Sequence, residues 1–302
     1  LNAGPLFTAY VIPLYTGGYD EWYTAIETAL EVPHDLTPES VWLTDPVVNA
    51  DIANMQAACT AAENVYAKYI TIHAPTAAID NATQTWDEWI TATKAINNGE
   101  VAPRVHLIPQ THEHNLGVIL GRLVNENISI ADSPMRVATG AVQSLGDSPL
   151  DSAGNPLTMA HITELADNRF SVPQWYPGKD GIYWADHTSL DAEGGDFQVY
   201  EHRRVIDYIS RRVYLQMINK IADRSFNSTE SATAYHVAYF SSTLKAAAKG
   251  SVIAGNAVPG MIQQPIDGDV VINWKTTTAV EVSVLAAPVT VSYTHLTLPT
   301  ME

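Results

Sequence analysis

The sequence contains a single cysteine, Cys59, so no internal disulfide can form. A lone cysteine inside a helical pattern reads as a small core residue and fits a reducing compartment. No apolar run approaches the roughly 18 residues that a membrane-crossing helix needs, so no membrane insertion is expected. No secretory leader opens the chain, which starts at Leu1, and further residues are expected upstream. Cations are scarce: 16 Lys and Arg stand against 33 Asp and Glu, a net charge of −17. Phosphate backbones need a dominant basic surface, so nucleic acid is excluded as a partner. The signatures of covalent and nucleotide chemistry are missing as well. There is no G-x-S-x-G elbow, no G-x-G-x-x-G after a strand, no G-x-x-x-x-G-K-[ST] loop and no H-E-x-x-H. No cofactor is implied.

What is present is a large apolar share, 46%, with 14 Tyr and 7 Trp but only 16% charged residues. That composition supports a sizeable core and suits a surface largely covered by partners; a low-charge globular domain is the plainer alternative. Short apolar runs alternate with helical periodicities through residue 130. Strands are expected at 7–15, 41–43, 69–73 and 104–108. Helices are expected at 20–31, 49–66, 83–96 and 115–124, with Asn97-Asn98-Gly99 as a helix stop. Fully apolar short strands between helices indicate an α/β class: a mixed sheet flanked by helices. Residues 131–200 are rich in Gly and Pro and read as loops with short strands at 170–172 and 181–184. A C-terminal α+β part follows, with a long helix over about 197–226, a second helix over 230–249 and two strands at 269–274 and 279–285. The expected division is 1–130, 131–291 and a tail from 292 to 302 that departs from the preceding pattern.

Candidate chemistry is sparse. His112 and His114 in THEHN would share one face of a strand and hold a metal there, which makes a metal-dependent α/β enzyme the rival reading. The bland alternative is a pair of loop residues before a helix. Gly17-Gly18 before a helix is a weak anion site, and Asp45, Asp51 and Asp80 suit either a cation site or ordinary turns. The aromatic segments around Trp175-Tyr176 and Tyr183-Trp184 suit a carbohydrate platform or, more plainly, loop anchoring.

The stretch from Tyr200 to Thr229 stands out. Residues 201–249 carry 8 of the 16 cations against 4 acids. On a helical projection Ile206, Ile209, Val213 and Met217 form the expected core stripe. Arg204, Tyr208, Arg211, Arg212 and Leu215 fall on another side and make it cationic. A solvated face is the default for such charges; Arg mixed with Tyr also has the composition of a protein interface.

Four ordered stretches resemble the sheath proteins of contractile phage tails of the Mu-like type. They are IADSPMRVATGAV (130–142), NRFSVPQWYPGKDGIYWADH (168–187), the long helix into RSFNST (200–229) and VPGMIQQPIDGDVVINW (258–274). The resemblance implies a non-enzymatic structural subunit with a C-terminal sheath core. It implies six-fold rings stacked helically around a tail tube, linked by strand-donating arms, and contraction that drives the tube through a host envelope. Its implied partners are other copies, the tube protein, and baseplate and terminator proteins; its implied location is the virion tail, after assembly in the host cytoplasm. Under the resemblance Arg204, Arg211 and Arg212, with Arg203, Lys220 or Arg224 as further candidates, would then face the tube or a neighbouring subunit. A baseplate-type scaffold is a further alternative.

Overall fold

The structure is a computed structural model that describes residues 2–4, 7–15, 19–31, 38–276 and 278–289. Gly17-Gly18 and the tail from 292 lie outside the described residues.

Three parallel strands form the first sheet in the order β1-β2-β3: β1 (Ser40–Trp42), β2 (Thr71–Thr76) and β3 (Val105–Pro109). They follow α1 (Tyr19–Glu31) and are joined by α2 (Asn49–Tyr66) and α3 (Trp86–Asn97). Two crossovers stepping the same way place both helices on one face. The alternation of side chains along each strand sorts the two faces. Ile72, Ala74, Val105 and Leu107 pack with Ile52, Met55, Cys59 and Ile90 in the main apolar cluster. On the other face Trp42 and Ile108 meet α4 (Asn115–Leu123) through Val118 and Ile119. Local signals fix the helix ends. Thr85 and Glu88 form a reciprocal capping box at α3, and Asn98 and Gly99 take positive φ where it stops.

The Gly- and Pro-rich middle is not idle loop. It contains α5 (Met159–Asp167), which the sequence reading passed over, and β4 (Pro173–Gln174) paired with β5 (Tyr183–Trp184). Its backbone continues the sheet beyond β3: Ser171 N–H donates to Leu107 O and Leu190 N–H to Val105 O. Phe170, Val172, Ile162 and Leu165 bury themselves in the main cluster. The β3 edge is thereby covered.

The C-terminal part is built on α6 (Tyr200–Ile218) and α7 (Glu230–Ala248). α6 is shorter than the expected 197–226, whereas α7 matches its expected span and is capped by Thr229. Val205, Ile209 and Val213 of α6 pack against Phe240 and Leu244 of α7 in a second cluster. Two hairpins complete this part, β6 (Ser251–Ile253) with β7 (Asn256–Val258), and β8 (Val270–Trp274) with β9 (Val280–Val284). The first hairpin was not foreseen.

One strand expectation needs correction, and of the two readings of THEHN the loop before a helix is the one found. Residues 7–15 form no strand and join no sheet among the described residues, and Phe7, Tyr10, Val11, Ile12 and Tyr15 are exposed. Residues 111–114 form turns before α4 instead of a strand, because Asn115 folds back to accept from His112 N–H and to donate to Pro109 O.

Candidate functional site

The most organised polar region is the seam where α6 crosses the starts of the three parallel strands. Glu39 precedes β1, Tyr69 and Ile70 precede β2, and Arg104 precedes β3. A stripe of α6 spaced by about one turn, Arg203, Asp207 and Arg211, faces them with Arg204 beside it. The Asp207 carboxylate accepts a two-pronged contact from the Arg104 guanidinium, at 2.9 and 3.2 Å. Both side chains are 5% exposed. Arg104 also donates to Ile70 O at 3.2 Å and to Glu63 at 2.9 Å, and Arg203 approaches Asp207 at 4.0 Å. Burial pushes the Asp207 carboxyl up, against the pull of Arg104. Burial pulls the Arg104 guanidinium down, yet the paired carboxylate more than offsets this and leaves it raised. The fork geometry and the additional acceptors satisfy the pair in its charged form. At the outer end Glu39 receives Arg204 at 3.4 Å and Arg211 at 3.1 Å. Those arginines also donate to Leu123 O and Tyr69 O. Glu39 is half exposed, so these two pairs contribute little each; the buried Arg104–Asp207 contact governs the seam.

Beneath the N-terminal turn of α6 lies an aromatic stack of three fully buried histidines and the partly buried Trp42. Sheet register sets Trp42 beside His73 and His73 beside His106. The Trp42 and His73 rings stack at 4.1 Å, and His106 stacks on His73 at 4.6 Å and on His187 at 4.7 Å. Tyr200, the first residue of α6, meets all three histidines edge-on at 4.8 to 5.3 Å. Burial holds His73 and His187 well below the ordinary imidazole range, with the neighbouring His106 and Arg204 adding to it. Burial lowers His106 to about 3. All three are neutral at physiological pH.

These histidines have their ring nitrogens within 4.8 Å of one another. Their ring planes agree to about ten degrees. Lone pairs in parallel planes do not converge on one ion, and the cations Arg203 and Arg204 act against further positive charge there. The cluster is built as a neutral polar core.

The residues singled out from sequence separate into two groups. Arg203 lies over the Phe197 ring at 3.4 Å and points into the seam. Arg204 and Arg211 are held by Glu39 within the same chain. Arg212 is exposed, over Tyr208 at 4.4 Å. Lys220 binds Asp223 at 2.8 Å, and Arg224 is exposed. In the core stripe Ile209 and Val213 are buried and Met217 is partly so; Ile206 is half-buried and Val205 fills the core in its place. The stripe is thus rotated by one residue on its first turn, because the opposite side must present Asp207 to Arg104.

The rival His112/His114 metal reading is not supported by geometry. His112 is buried, lowered to about 4 by that burial, and its Nδ1 meets Thr111 Oγ1 at 3.1 Å. His114 is exposed and 3.8 Å from Glu113. The Cys59 thiol is buried and pushed up to about 12, which makes it inert. Asp51 is a helix N3 acid accepting from Val48 N–H, and Asp80 closes a turn through Thr83. Trp175 packs against the main cluster and Trp184 is fully buried, as loop anchors do.

Comparison with known proteins places this geometry. Residues 1–188 match the family model described as DUF2586, N-terminal domain, and residues 196–297 match DUF2586, C-terminal domain. A protein of Haemophilus phage HP1 (strain HP1c1) named "Putative tail sheath protein" is 45% identical over 207 residues. That stretch is 68% of this chain and 55% of the phage protein, so the chain spans little more than half of its relative. Among solved structures, the PVC sheath complex of an extracellular contractile injection system in its contracted state superposes with a TM-score of 0.63. It is 12% identical, covering 92% of this chain and 75% of the other. A sheath tail protein from Listeria innocua gives a TM-score of 0.56 at 10% identity, over 89% and 56%. The baseplate of the anti-feeding prophage gives 0.59 at 11% identity, over 96% and 75%. At these identities the likeness is one of fold.

Proposed function

The chain belongs to the DUF2586 family, and from that membership we propose that it is a structural subunit of a contractile tail sheath. In this role it polymerises around a tail tube and contracts to drive the tube through an envelope. The observation that carries the reading is a phage relative 45% identical over 68% of the chain, joined by a sheath-complex fold matched over 92% of it. The function rests on contacts and shape, with no bond chemistry.

The mechanics follow from the two apolar clusters and the seam between them. A contracting lattice transmits force through subunits that move as bodies while their connections absorb the change. Here the α/β unit and the helical unit are tied by a buried ion pair, two outer ion pairs and the histidine stack. The exposed segment 7–15, with its strand-like sequence pattern, and the small β8–β9 hairpin suit strand donation between copies. Arg212 and Arg224, exposed together with Leu215, Ile218, Ile221 and Tyr235, form the surface we assign to the tube or an adjacent subunit. The acidic N-terminal part, with 15 acids and 4 bases over residues 1–130, offers opposite charge on a neighbouring copy. Tail and baseplate contacts belong to the same reading.

Expression of the full-length protein with its tube protein, followed by negative-stain microscopy and light scattering, tests it. Long hollow tubes or stacked rings are expected. Only monomers under conditions where the tube protein itself polymerises would refute it.

A further inference from the structure

The hydrogen bonds around the buried histidines run in one direction. Trp184 Nε1–H can only donate, and it donates to Ser171 Oγ at 2.8 Å. The Ser171 hydroxyl then donates to His187 Nδ1 at 2.5 Å. His187 therefore carries its proton on Nε2 and donates to His73 Nδ1 at 2.9 Å. His73 Nε2–H donates to Thr71 Oγ1 at 3.0 Å, and the Thr71 hydroxyl donates to Tyr200 OH at 3.4 Å. Each hydrogen from Trp184 to Thr71 has one acceptor, and both histidines are neutral. His106 stands beside it. Its Nδ1 donates to Thr188 O at 3.0 Å, since a carbonyl only accepts. Its Nε2 is a bare lone pair with no partner in a fully buried site.

An added proton is poorly accommodated here: on His187 Nδ1 it would turn the Ser171 hydroxyl hydrogen away from the acceptor it now uses. His73 Nδ1 and His187 Nε2 share one hydrogen; a second would set two N–H groups against each other. A proton on His106 Nε2 breaks no bond but creates a buried charge with no acceptor. Three of the carboxylates around the cluster are already engaged elsewhere. From α6 come Arg203, Arg204, Tyr200, Glu201 and Asp207; from the strand starts come Arg104 and Glu39; from the loop comes Asp186. Asp207 is already bound to Arg104, Glu39 to Arg204 and Arg211, and Asp186 Oδ1 accepts from His187 N–H and Ser133 Oγ–H.

We propose that His73, His106 and His187 form an acid-operated latch for the joint between α6 and the parallel sheet. Protons taken from solvent displace Tyr200 and release the N-terminal turn of α6, separating the two apolar units. The proposal rests on this geometry alone, independently of the sheath reading. The sign follows from linkage. A histidine held below its unfolded value contributes stability that is complete above about pH 6.5 and is lost as pH falls. Each histidine freed by opening contributes about tenfold to the opening equilibrium one pH unit below its ordinary value, so three contribute roughly a thousandfold.

Amide hydrogen exchange on the full chain reads this directly. Between pH 7 and pH 5.5, after correction for intrinsic rates, the first turns of α6 are expected to lose protection by up to that factor. His106→Asn keeps a donor for Thr188 O but cannot titrate, and is expected to reduce the pH dependence by about one proton. Imidazole NMR on the unsubstituted protein serves as a second measurement: none of the three rings is expected to titrate in the folded state above pH 5.5. Protection of α6 that is independent of pH, or any of the three rings titrating near 6.5 with α6 still protected, would overturn the latch. So would a gain in protection on adding zinc ion alone, which would make the cluster a metal site.

Discussion

Replacing Asp207 with alanine is the perturbation that most sharply probes the seam. The Arg104 guanidinium would remain buried at 5% exposure, without its two-pronged acceptor. Breaking a buried pair from one side costs about 3 to 5 kcal/mol, because an uncompensated charge is left behind. Glu63 still reaches Arg104 at 2.9 Å and is 41% exposed, and Ile70 O still accepts. These contacts place the expected loss at the low end, about 3 kcal/mol. Joint replacement, Arg104→Met with Asp207→Leu, removes both charges and fills the space with apolar atoms. It should lie within about 1 kcal/mol of the unsubstituted protein. Urea denaturation followed by tryptophan fluorescence measures both, since Trp42 and Trp184 sit in the cluster next to the seam. An Asp207→Ala loss below about 1 kcal/mol, or a double variant no better than the single one, would refute the claim that this pair governs the joint.

Further outcomes follow from packing and surface. Gly260→Ala would drive a Cβ into the backbone carbonyl of Ala248, which cannot move without fraying α7; a loss of about 3 kcal/mol is expected by thermal denaturation. Phe240→Ala empties the centre of the helical unit, where Phe240 is fully buried, and should cost about 3 to 5 kcal/mol. Thr85→Ala removes one half of the α3 capping box and should cost about 1 kcal/mol. Arg212→Glu with Arg224→Glu should leave chemical stability within about 0.5 kcal/mol, while abolishing co-assembly in a pull-down with the tube protein.

The helices were legible where periodicity and caps agreed. α2, α3, α4 and α7 lie within a few residues of their expected spans because Ala-rich stripes, Thr85, Asn98-Gly99 and Thr229 are local signals. The parallel strands were legible for the same reason, as short apolar runs between those helices. Residues 7–15 carry an equally clear strand pattern, but a pattern names a strand and not its partner, and no sheet among the described residues receives it. The seam was hidden by distance in sequence. Asp207 finds Arg104, 103 residues away, so a buried stripe of Arg203, Asp207 and Arg211 looks like a solvated face. One signal was available: the acid sits a turn from each flanking arginine, directly opposite Val205 and Ile209. The histidine cluster was hidden because His73 and His106 meet only through strand register, and His187 joins them from an irregular loop. The period-two spacing in TIHAPT and VHLIP turns both histidines away from Ile72 and Leu107, which was the sole hint. The family resemblance, by contrast, was readable from four ordered stretches, and the matched families cover the same regions.

A cryo-electron microscopy reconstruction of the intact particle that carries this chain, before and after contraction, tests the central claim most directly. The account predicts the chain in the outer cylinder around the tube in both states, with the α/β unit and the α6–α7 unit superposing as one body and Arg104 still paired to Asp207. Density for the chain outside that cylinder, or a seam that opens between the two states, would contradict it.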